Sequence, residues 1–314
     1  MTGFLLRRLG QMLIALLGVS TLVFLLIHLV PGDPIRIALG TRFDQSVYDA
    51  LMARSGLDRP LMEQYLSWLG NAVTGDLGVS FRSGRPVTEV VLERLPGTVT
   101  LATAALLIAL SVALPFGIIA AVRRGSVLDS VTTTVSQVGI SVPDFWAGIL
   151  YILLFSLTLG WLPPSGYVPL SEDPAGWLQH LTLPALSVGL VSGSILFRFV
   201  RSAVLEALDQ DYVRTARAKG VGGLRLITGH VLPNAAVPIV TVVGLQLGFL
   251  LGGVVVVETI FAWPGLGRLA LIAVQARDLP VVQGAVLYIA TMFLLISLIV
   301  DLLYAALDPR IRYG

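Results

Sequence analysis

Residues 205–234 carry the clearest pattern of side chains that could bind a partner. Small and basic residues alternate from Tyr212 to Lys219, in a run that favours a helix and stops at Gly220, a natural C-terminal cap. A turn at residues 220–223 and a second short helix are expected to follow. Two such helices have too little apolar surface to be stable alone, so we expect them to lie in a groove of another protein. The alternative interpretation is a solvated basic loop.

Sequence motifs of common enzyme classes are missing from the chain. It contains no Gly-x-x-x-x-Gly-Lys-Ser/Thr loop, no His-Glu-x-x-His and no Gly-x-Ser-x-Gly. There is no cysteine, and His28, His180 and His230 lie far apart, so no disulfide framework or Cys/His metal site is possible. We therefore predict a chain that is not an enzyme, with no catalytic residue, no metal ligand and no bound cofactor. Basic residues are spread among loops, which argues against nucleic-acid binding.

The composition is that of a membrane protein. Hydrophobic residues make up 55% of the 314 residues and charged residues only 13%, against about 25% charged in soluble proteins. The apolar runs are long enough to span a bilayer as helices. The first run, about 22 residues ending in Pro-Gly-Asp-Pro, is too long for a signal peptide and indicates an uncleaved anchor. The sequence thus predicts an all-α integral membrane protein with six transmembrane helices, at about 9–30, 98–122, 131–159, 184–204, 235–257 and 284–307.

A polar region separates the first two predicted spans. Its periodicity predicts amphipathic helices near residues 46–54 and 60–73, the second with Pro60 at its first position. A third amphipathic stretch is expected to end at Pro96 and Gly97 and to turn into the next span. The predicted organisation is an N-terminal transmembrane helix (1–30), a helical cap (31–95), a five-helix core (96–307) and a short tail (308–314).

The third predicted span is broken near its middle by Gly139, Ser141 and Pro143. Such a break is tolerated in lipid only where protein or water satisfies the freed backbone groups. It therefore faces either a translocation path or a packing contact. Polar residues within spans usually face protein or water, and the candidates for lining a path are Gln137, Ser141, Pro143, Gln246 and Glu258. For Glu258, an interfacial hydrogen-bonding role is the alternative.

The distribution of basic residues predicts the orientation. The side that holds both termini carries Lys and Arg in its short segments, including Arg123, Arg124 and Lys219. Basic residues flanking spans are retained in the cytoplasm. Both termini are therefore expected to be cytoplasmic, with the cap on the opposite side.

The segment at 205–234 resembles a signature of permease subunits in ABC importers. There, a glycine is followed by nine residues and then by an aliphatic-x-Leu-Pro ending; here the glycine is Gly220 and the ending is Leu232-Pro233. Ala216 matches the last alanine of the signature. Arg214 stands where glutamate is usual, Thr215 replaces an alanine and His230 replaces the aliphatic residue. The form Tyr-Val-Arg-Thr-Ala-Arg-Ala-Lys-Gly is similar to that of the dipeptide, oligopeptide and nickel permease family.

Further motifs extend this resemblance over nearly the whole chain, in the order of the family and in the form of its first, or B-type, permease. They are Leu-Arg-Arg-Leu at 6–9, Val-Pro-Gly-Asp-Pro at 30–34, Gly-Asp-Leu-Gly-Val-Ser at 75–80, Glu-Thr-Ile-Phe at 258–261, Pro-Gly-Leu-Gly at 264–267, Arg-Asp-Leu-Pro-Val-Val-Gln-Gly at 277–284 and Asp-Pro-Arg at 308–310.

The resemblance implies a type I ABC importer permease in a bacterial inner membrane. It implies a second, homologous permease, one or two cytoplasmic ATPase subunits that bind ATP and magnesium, and an extracytoplasmic binding protein that delivers cargo. Short peptides are the implied substrate, and nickel, glutathione or another small solute are the alternatives. Two other functional classes compete with an importer subunit: a secondary transporter that works alone and a non-transporting scaffold. The ATPase-coupling residues would be Tyr212, Arg214, Thr215, Ala216, Arg217, Lys219, Gly220, Leu232 and Pro233.

Overall fold

The computed structural model describes residues 2–29, 32–40, 43–252 and 254–307. These residues are almost entirely helical, and the extended structure among them is one isolated bridge between Val79 and Pro86. The predicted all-α class is therefore confirmed. The boundary predicted at residues 30 and 31 and the tail at 308–314 lie outside the described residues. The chain divides into two compact units, Met1–Val99 with Pro264–Leu294, and Thr100–Trp263 with Leu295–Arg312.

The first unit begins with α1 and a set of shorter helices. It consists of α1 (Thr2–Leu29), α2 (Pro34–Leu39), α3 (Gln45–Ser55), α4 (Leu61–Val73) and, from later in the chain, Leu266–Gln275, together with parts of two long helices, Val87–Val122 and Leu279–Leu307. Both helices predicted in this region are present, as α3 and α4. Pro60, which was predicted to be the first helical residue, lies at the N-cap, one position before the observed first residue, Leu61. Helix α2 was not predicted; the side chain of Asp33 caps it by accepting hydrogen bonds from the amides of Ile35 and Arg36.

The second unit contains most of the remaining helices. They are the rest of α5 (Val87–Val122), α6 (Val127–Ser141), α7 (Asp144–Tyr151) with a π-helix at Ile152–Thr158, α8 (Pro174–Leu208), α9 (Asp211–Ala218), α10 (Gly223–Leu226) with a π-helix at Ile227–Val231, α11 (Leu232–Leu251) and α12 (Val255–Ile260). The helices at Leu266–Gln275 and Leu279–Leu307, described above, are numbered α13 and α14 in chain order. The main core of this unit packs α8 against α5, α9 and α11, around Leu196, Val200 and Val204.

Within the part of the chain that the structure describes, five helices are long and apolar enough to cross a membrane. They contain Leu6–Leu25, Val87–Val122, Pro174–Leu208, Gly223–Leu251 and Leu279–Leu303. A sixth candidate is a broken pair, Val127–Ser141 followed by Asp144–Thr158. The six predicted spans are all represented, although several of their boundaries differ from the predicted ones.

The predicted break at Pro96 and Gly97 is wrong, because α5 continues through both residues. A proline removes one helical hydrogen bond, but the turns on either side bury Val91 and Leu101 almost completely. The absence of a Cβ at Gly97 lets the helix backbone approach the carbonyl of Pro264. The stretch at 87–95 is thus the first part of the second span, not a separate helix.

The predicted break in the third span is confirmed. Helix α6 ends at Ser141, Val142 and Pro143 are extended, and α7 begins at Asp144. The two legs are bent by 98°, which is far more than the kink of a proline within a continuous helix.

The fourth span begins ten residues before the predicted start at residue 184. The carboxylate of Asp173 accepts the amide hydrogen of Ala175 at 3.0 Å, and Pro174 occupies the first turn, where its missing N–H is harmless. Pro184 lies buried inside the helix. The segment between the third and fourth predicted spans is therefore a loop only up to Asp173.

The fifth and sixth spans also begin or end at other residues than predicted. The fifth span was predicted at 235–257, but the helical run begins at Gly223 and ends at Leu251, with Gly252 at its C-cap. Glu258 belongs to the separate helix α12. The segment between the fifth and sixth predicted spans contains α13, whose Leu266 amide donates to Thr98 Oγ1 at 2.7 Å. The last span begins at Leu279, not at Gly284.

Candidate functional site

The predicted coupling segment forms two short helices joined by a tight turn, as expected. Helix α8 ends at Leu208, and α9 follows after Asp209 and Gln210. The turn lies at residues 219–222, and α10 runs directly through the π-helix into α11. The second short helix is therefore the beginning of the fifth span, so any displacement of the turn acts directly on that span.

Helix α9 has one face in the core and one in solvent. Val213 and Ala216 are 0% and 7% exposed and belong to the core of the second unit. Arg214, Arg217 and Lys219 are exposed. The basic side chains therefore lie on a surface that a partner can reach, whereas Ala216 contacts its own chain.

The turn after α9 is a Schellman motif centred on Gly220. The amide of Gly220 donates to Arg217 O at 2.9 Å, and the amide of Val221 donates to Ala216 O at 3.1 Å. Gly220 has φ +83°, in the left-handed region, and open space surrounds the position where a Cβ would lie. Glycine is needed here for its backbone conformation and not for close packing.

The far end of the segment is anchored by apolar residues. Leu226 and Val231 are buried in the same core as Val213, Leu232 is half-buried, and Pro233 is exposed. The side chain of Asn234 donates to His230 O at 2.8 Å. The turn at Gly220 is thus held at both ends by the core of the second unit.

The charges on α9 remain available for a partner. The guanidinium of Arg214 meets the exposed carboxylate of Asp211 at 3.3 Å, and Thr215 Oγ1 donates to Asp211 O at 3.0 Å. Among the described residues, neither Arg217 nor Lys219 forms an ion pair. Partial burial raises the pKa of Tyr212, so its phenol stays neutral at physiological pH and can donate a hydrogen bond.

An ion pair that no sequence pattern indicated joins α6 to α8. Arg201 Nε and Nη2 donate to the two carboxylate oxygens of Asp129 at 2.7 and 2.9 Å. Asp129 also accepts the amide hydrogen of Gly125 at 2.9 Å. Nearby, Arg124 lies 3.7 Å from Asp209, at the start of the coupling segment. The turn between α5 and α6 is therefore tied to α8 just before the coupling segment.

A cavity of about 460 Å³ lies in the second unit. Its polar lining residues are Asp144, Ser192 and Gln246, and the amide of Gln246 donates to Ser192 Oγ at 2.8 Å. Its apolar walls come from α8, α11 and residues 254–256. Gln246 is thus the path candidate that the structure places in a cavity.

The other path candidates lie elsewhere. Gln137 and Ser141 are exposed on α6, where Ser141 Oγ donates to Gln137 O at 2.9 Å. Pro143 is exposed at the bend, next to the cavity residue Asp144. Glu258 is 1% exposed and is absent from the cavity wall, so this structure does not bring the five candidates together.

Two protein-family models match this chain, one over its N-terminal part and one over most of the rest. Residues 1–102 match the N-terminal part of binding-protein-dependent transport system membrane components. Residues 113–313 match the binding-protein-dependent transport system inner membrane component.

The chain belongs to this family.

The permease is also similar to curated proteins over its whole length. It is 44% identical to a protein of Brucella abortus (strain 2308) described as a peptide transport system permease, with both chains covered completely. It is 42% identical to the dipeptide transport system permease protein of Escherichia coli (strain K12) and to the di/tripeptide transport system permease protein of Pseudomonas aeruginosa (strain UCBPP-PA14). In both cases, 100% of this chain and 99% of the relative are covered.

Solved structures share the fold. The MetNI methionine ABC transporter in an inward-facing conformation matches with a TM-score of 0.58 and 16% identity, over 70% of this chain and 96% of the other. An amino acid ABC transporter matches with a TM-score of 0.52 and 19% identity, over 70% and 94% of the two chains. The fold is that of an ABC importer permease, and the permease is an integral membrane protein.

Proposed function

We propose that this permease imports short peptides as a membrane subunit of an ATP-driven transporter. The observation that carries the proposal is the identity of 42% over the full chain to permeases named for dipeptide and di/tripeptide transport. Because the similarity includes all spans and the coupling segment, it supports the same division of labour. The permease provides part of the path, and ATP and magnesium bind to partner subunits.

The partners follow from this function. A second, homologous permease completes the path, one or two kinds of ATPase subunit dock from the cytoplasm, and a binding protein delivers peptide from outside. Both termini and the turn at Gly220 lie in the cytoplasm of a bacterial cell, and residues 31–95 form a cap on the outer side. The basic flanks of the spans support this orientation.

The coupling segment supplies the mechanism. Closure of the ATPase dimer displaces the exposed face of α9, which carries Arg214, Arg217 and Lys219. Because α10 continues into α11 without a break, the displacement is transmitted to the fifth span. Alternating access follows when this span and the broken third span change their packing. Gln246 and Ser192 line the side of the path that this chain contributes.

Reconstitution of the transporter in proteoliposomes tests this function. The permease is incorporated with its cognate second permease, ATPase subunits and binding protein, and uptake of a radiolabelled dipeptide is measured. We expect uptake that requires ATP and the binding protein and that excess unlabelled dipeptide abolishes. Competition by nickel or glutathione, with no effect of dipeptide, would overturn the substrate class. Gradient-driven uptake by the permease alone would overturn the ATP-driven mechanism.

A further inference from the structure

Helix α4 exposes a stripe of apolar side chains. Met62, Leu66 and Val73 are 69%, 59% and 82% exposed, and Leu69 is half-buried. The four residues recur at intervals of four, three and four positions, so they lie on one face of the helix. A contiguous apolar surface of this kind marks a place that a lipid or another protein covers.

A second face of α4 is polar. Glu63, Ser67 and Asn71 are exposed there, and Glu63 carries the only charge in the sequence of this helix. With 3.6 residues per turn, the centre of this face lies about 130° around the axis from the centre of the apolar stripe. The exposed surface of α4 is therefore amphipathic.

The third face of α4 packs on the first span. The rings of Tyr65 and Trp68 contact the ring of Phe24, with 5.2 and 6.4 Å between the centroids. One turn earlier in α1, Thr21 Oγ1 donates to Leu17 O at 2.7 Å and accepts the hydroxyl hydrogen of Tyr65 at 2.8 Å. These contacts fix the height of α4 along α1 and the direction in which its apolar stripe points.

The contact with Thr21 determines the depth of α4 in the bilayer. The apolar window of the first span is Leu6–Leu25, and a helix of this length matches the hydrocarbon core, about 30 Å thick. Thr21 lies four residues before the end of the window, which is about 6 Å inside it. Leu22 and Leu25 are exposed at the same height of α1, so lipid surrounds the span there. Interfacial helices insert their apolar face to a similar depth, about 5–10 Å.

We propose that α4 is an interfacial helix, with its apolar stripe in the acyl chains of the leaflet at the C-terminal end of α1 and its polar face toward headgroups and water. The depth of the Tyr65 contact favours lipid over a water-soluble partner, which does not enter the hydrocarbon. The helix has no basic residue, so the contact does not require anionic lipid. In the orientation proposed above, this leaflet is the outer one.

The loop after α4 is bound to the start of the last span. The amide of Phe81 donates to Asp278 Oδ1 at 3.0 Å, and Ser80 Oγ donates to Oδ2 of the same carboxylate. Asp278 is buried and directly precedes Leu279, the first residue of α14. Insertion of α4 into the leaflet therefore anchors a segment that contacts both the first and the last span.

Spin labelling tests the depth of α4. The chain has no native cysteine, so Leu66→Cys on the stripe and Ser67→Cys on the polar face each carry a single nitroxide, and Leu22→Cys on α1 is the lipid-exposed reference. Each labelled permease is assembled with its partner subunits in phosphatidylcholine nanodiscs. Collision of the nitroxide with oxygen, which enters lipid, and with chromium oxalate, which stays in water, is then measured. Thermal unfolding establishes that each variant is folded.

We expect the ratio of oxygen to chromium oxalate collisions at position 66 to equal that at position 22 and to be several-fold higher than that at position 67. Equal ratios at positions 66 and 67 would overturn the proposal. Poor access of both reagents to position 66 would also overturn it, because a protein would then cover the stripe, as would loss of oxygen access when the binding protein is added.

This outcome is independent of the import function. The measurement needs neither ATP nor peptide, and none of the labelled positions belongs to the coupling segment or to the cavity around Gln246. Peptide uptake by a permease whose stripe lies in water would leave the import function intact, and a stripe in lipid without peptide uptake would leave the interfacial helix intact.

Discussion

The guanidinium of Arg201 and the carboxylate of Asp129 form a two-pronged ion pair, with N–O distances of 2.7 and 2.9 Å. The two residues are 72 positions apart, and their side chains are 25% and 8% exposed. The pair fixes the first leg of the broken span to α8, immediately before the coupling segment. It is therefore placed to make these elements move together.

Removal of the carboxylate is the first test of this pair. Asp129→Ala leaves the charge of Arg201, whose side chain is 25% exposed, without its partner, and we expect a loss of roughly 1–3 kcal/mol of stability. The measurement is the thermal unfolding of the purified permease. Asp211→Ala removes the exposed partner of Arg214 and is expected to cost less than about 1 kcal/mol. Equal stability of the two variants would show that the buried pair does not hold α6 to α8.

The turn at Gly220 gives the second prediction. Gly220→Ala forces a side chain into φ +83° and should cost roughly 1–2 kcal/mol locally; Gly220→Pro should abolish the turn. We expect ATP-driven uptake to fall in the first variant and to be lost in the second, while the binding protein still docks. Gly229→Ala is the matched control, because Gly229 has open space around it and no positive φ. Wild-type uptake by Gly220→Pro would contradict the coupling role.

The two faces of α9 give the third prediction. Ala216→Asp buries a charge in the core around Val213 and should destabilise the permease by more than about 2 kcal/mol. Ala218→Asp places the same charge on the exposed face, so it should leave unfolding unchanged and weaken ATPase binding. Unfolding temperature and co-purification of the ATPase separate the two effects. If Ala216→Asp unfolds like the wild type, the assignment of the inner face is wrong.

Helix packing in the second unit gives the fourth prediction. A Cβ on Gly189 would lie 2.8 Å from Ala105 O and 2.9 Å from Ile108 Cβ. Gly189→Ala should therefore force α8 away from α5 and cost roughly 1–3 kcal/mol. Gly70→Ala adds the same methyl group where nothing lies within 4 Å. Thermal unfolding should separate the two variants, and a stable Gly189→Ala permease would show that this contact is loose.

The number of spans could be predicted from sequence because apolar runs and bilayer thickness determine it. The boundaries of the spans could not be predicted, because helix caps and turns can start or end a helix at residues that hydropathy does not mark. Asp173 and Pro174 start a helix inside an apparent loop, and the valines before Glu258 continue an apolar run after the helix has already ended at Leu251. At Pro96, packing on both sides overrides a helix-breaking residue.

Most of the coupling segment could be predicted from the sequence, because its glycine and its helix-favouring run are local signals. The contact of Ala216 with the core of its own chain could not be predicted, because the exposure of a residue on α9 depends on how that helix packs. Nothing in the sequence pairs Asp129 with Arg201, since their proximity arises only from the packing of α6 on α8.

Cysteine cross-linking of the coupling segment tests the central claim most directly. The chain has no native cysteine, so Arg217→Cys on the exposed face of α9 and Thr74→Cys beyond α4 each introduce a single reactive site. With a short cysteine-to-lysine cross-linker applied to the assembled transporter, we predict that position 217 cross-links to the ATPase subunit and that position 74 does not. Cross-linking of the ATPase from position 74, or none from position 217, would contradict both the orientation and the coupling role.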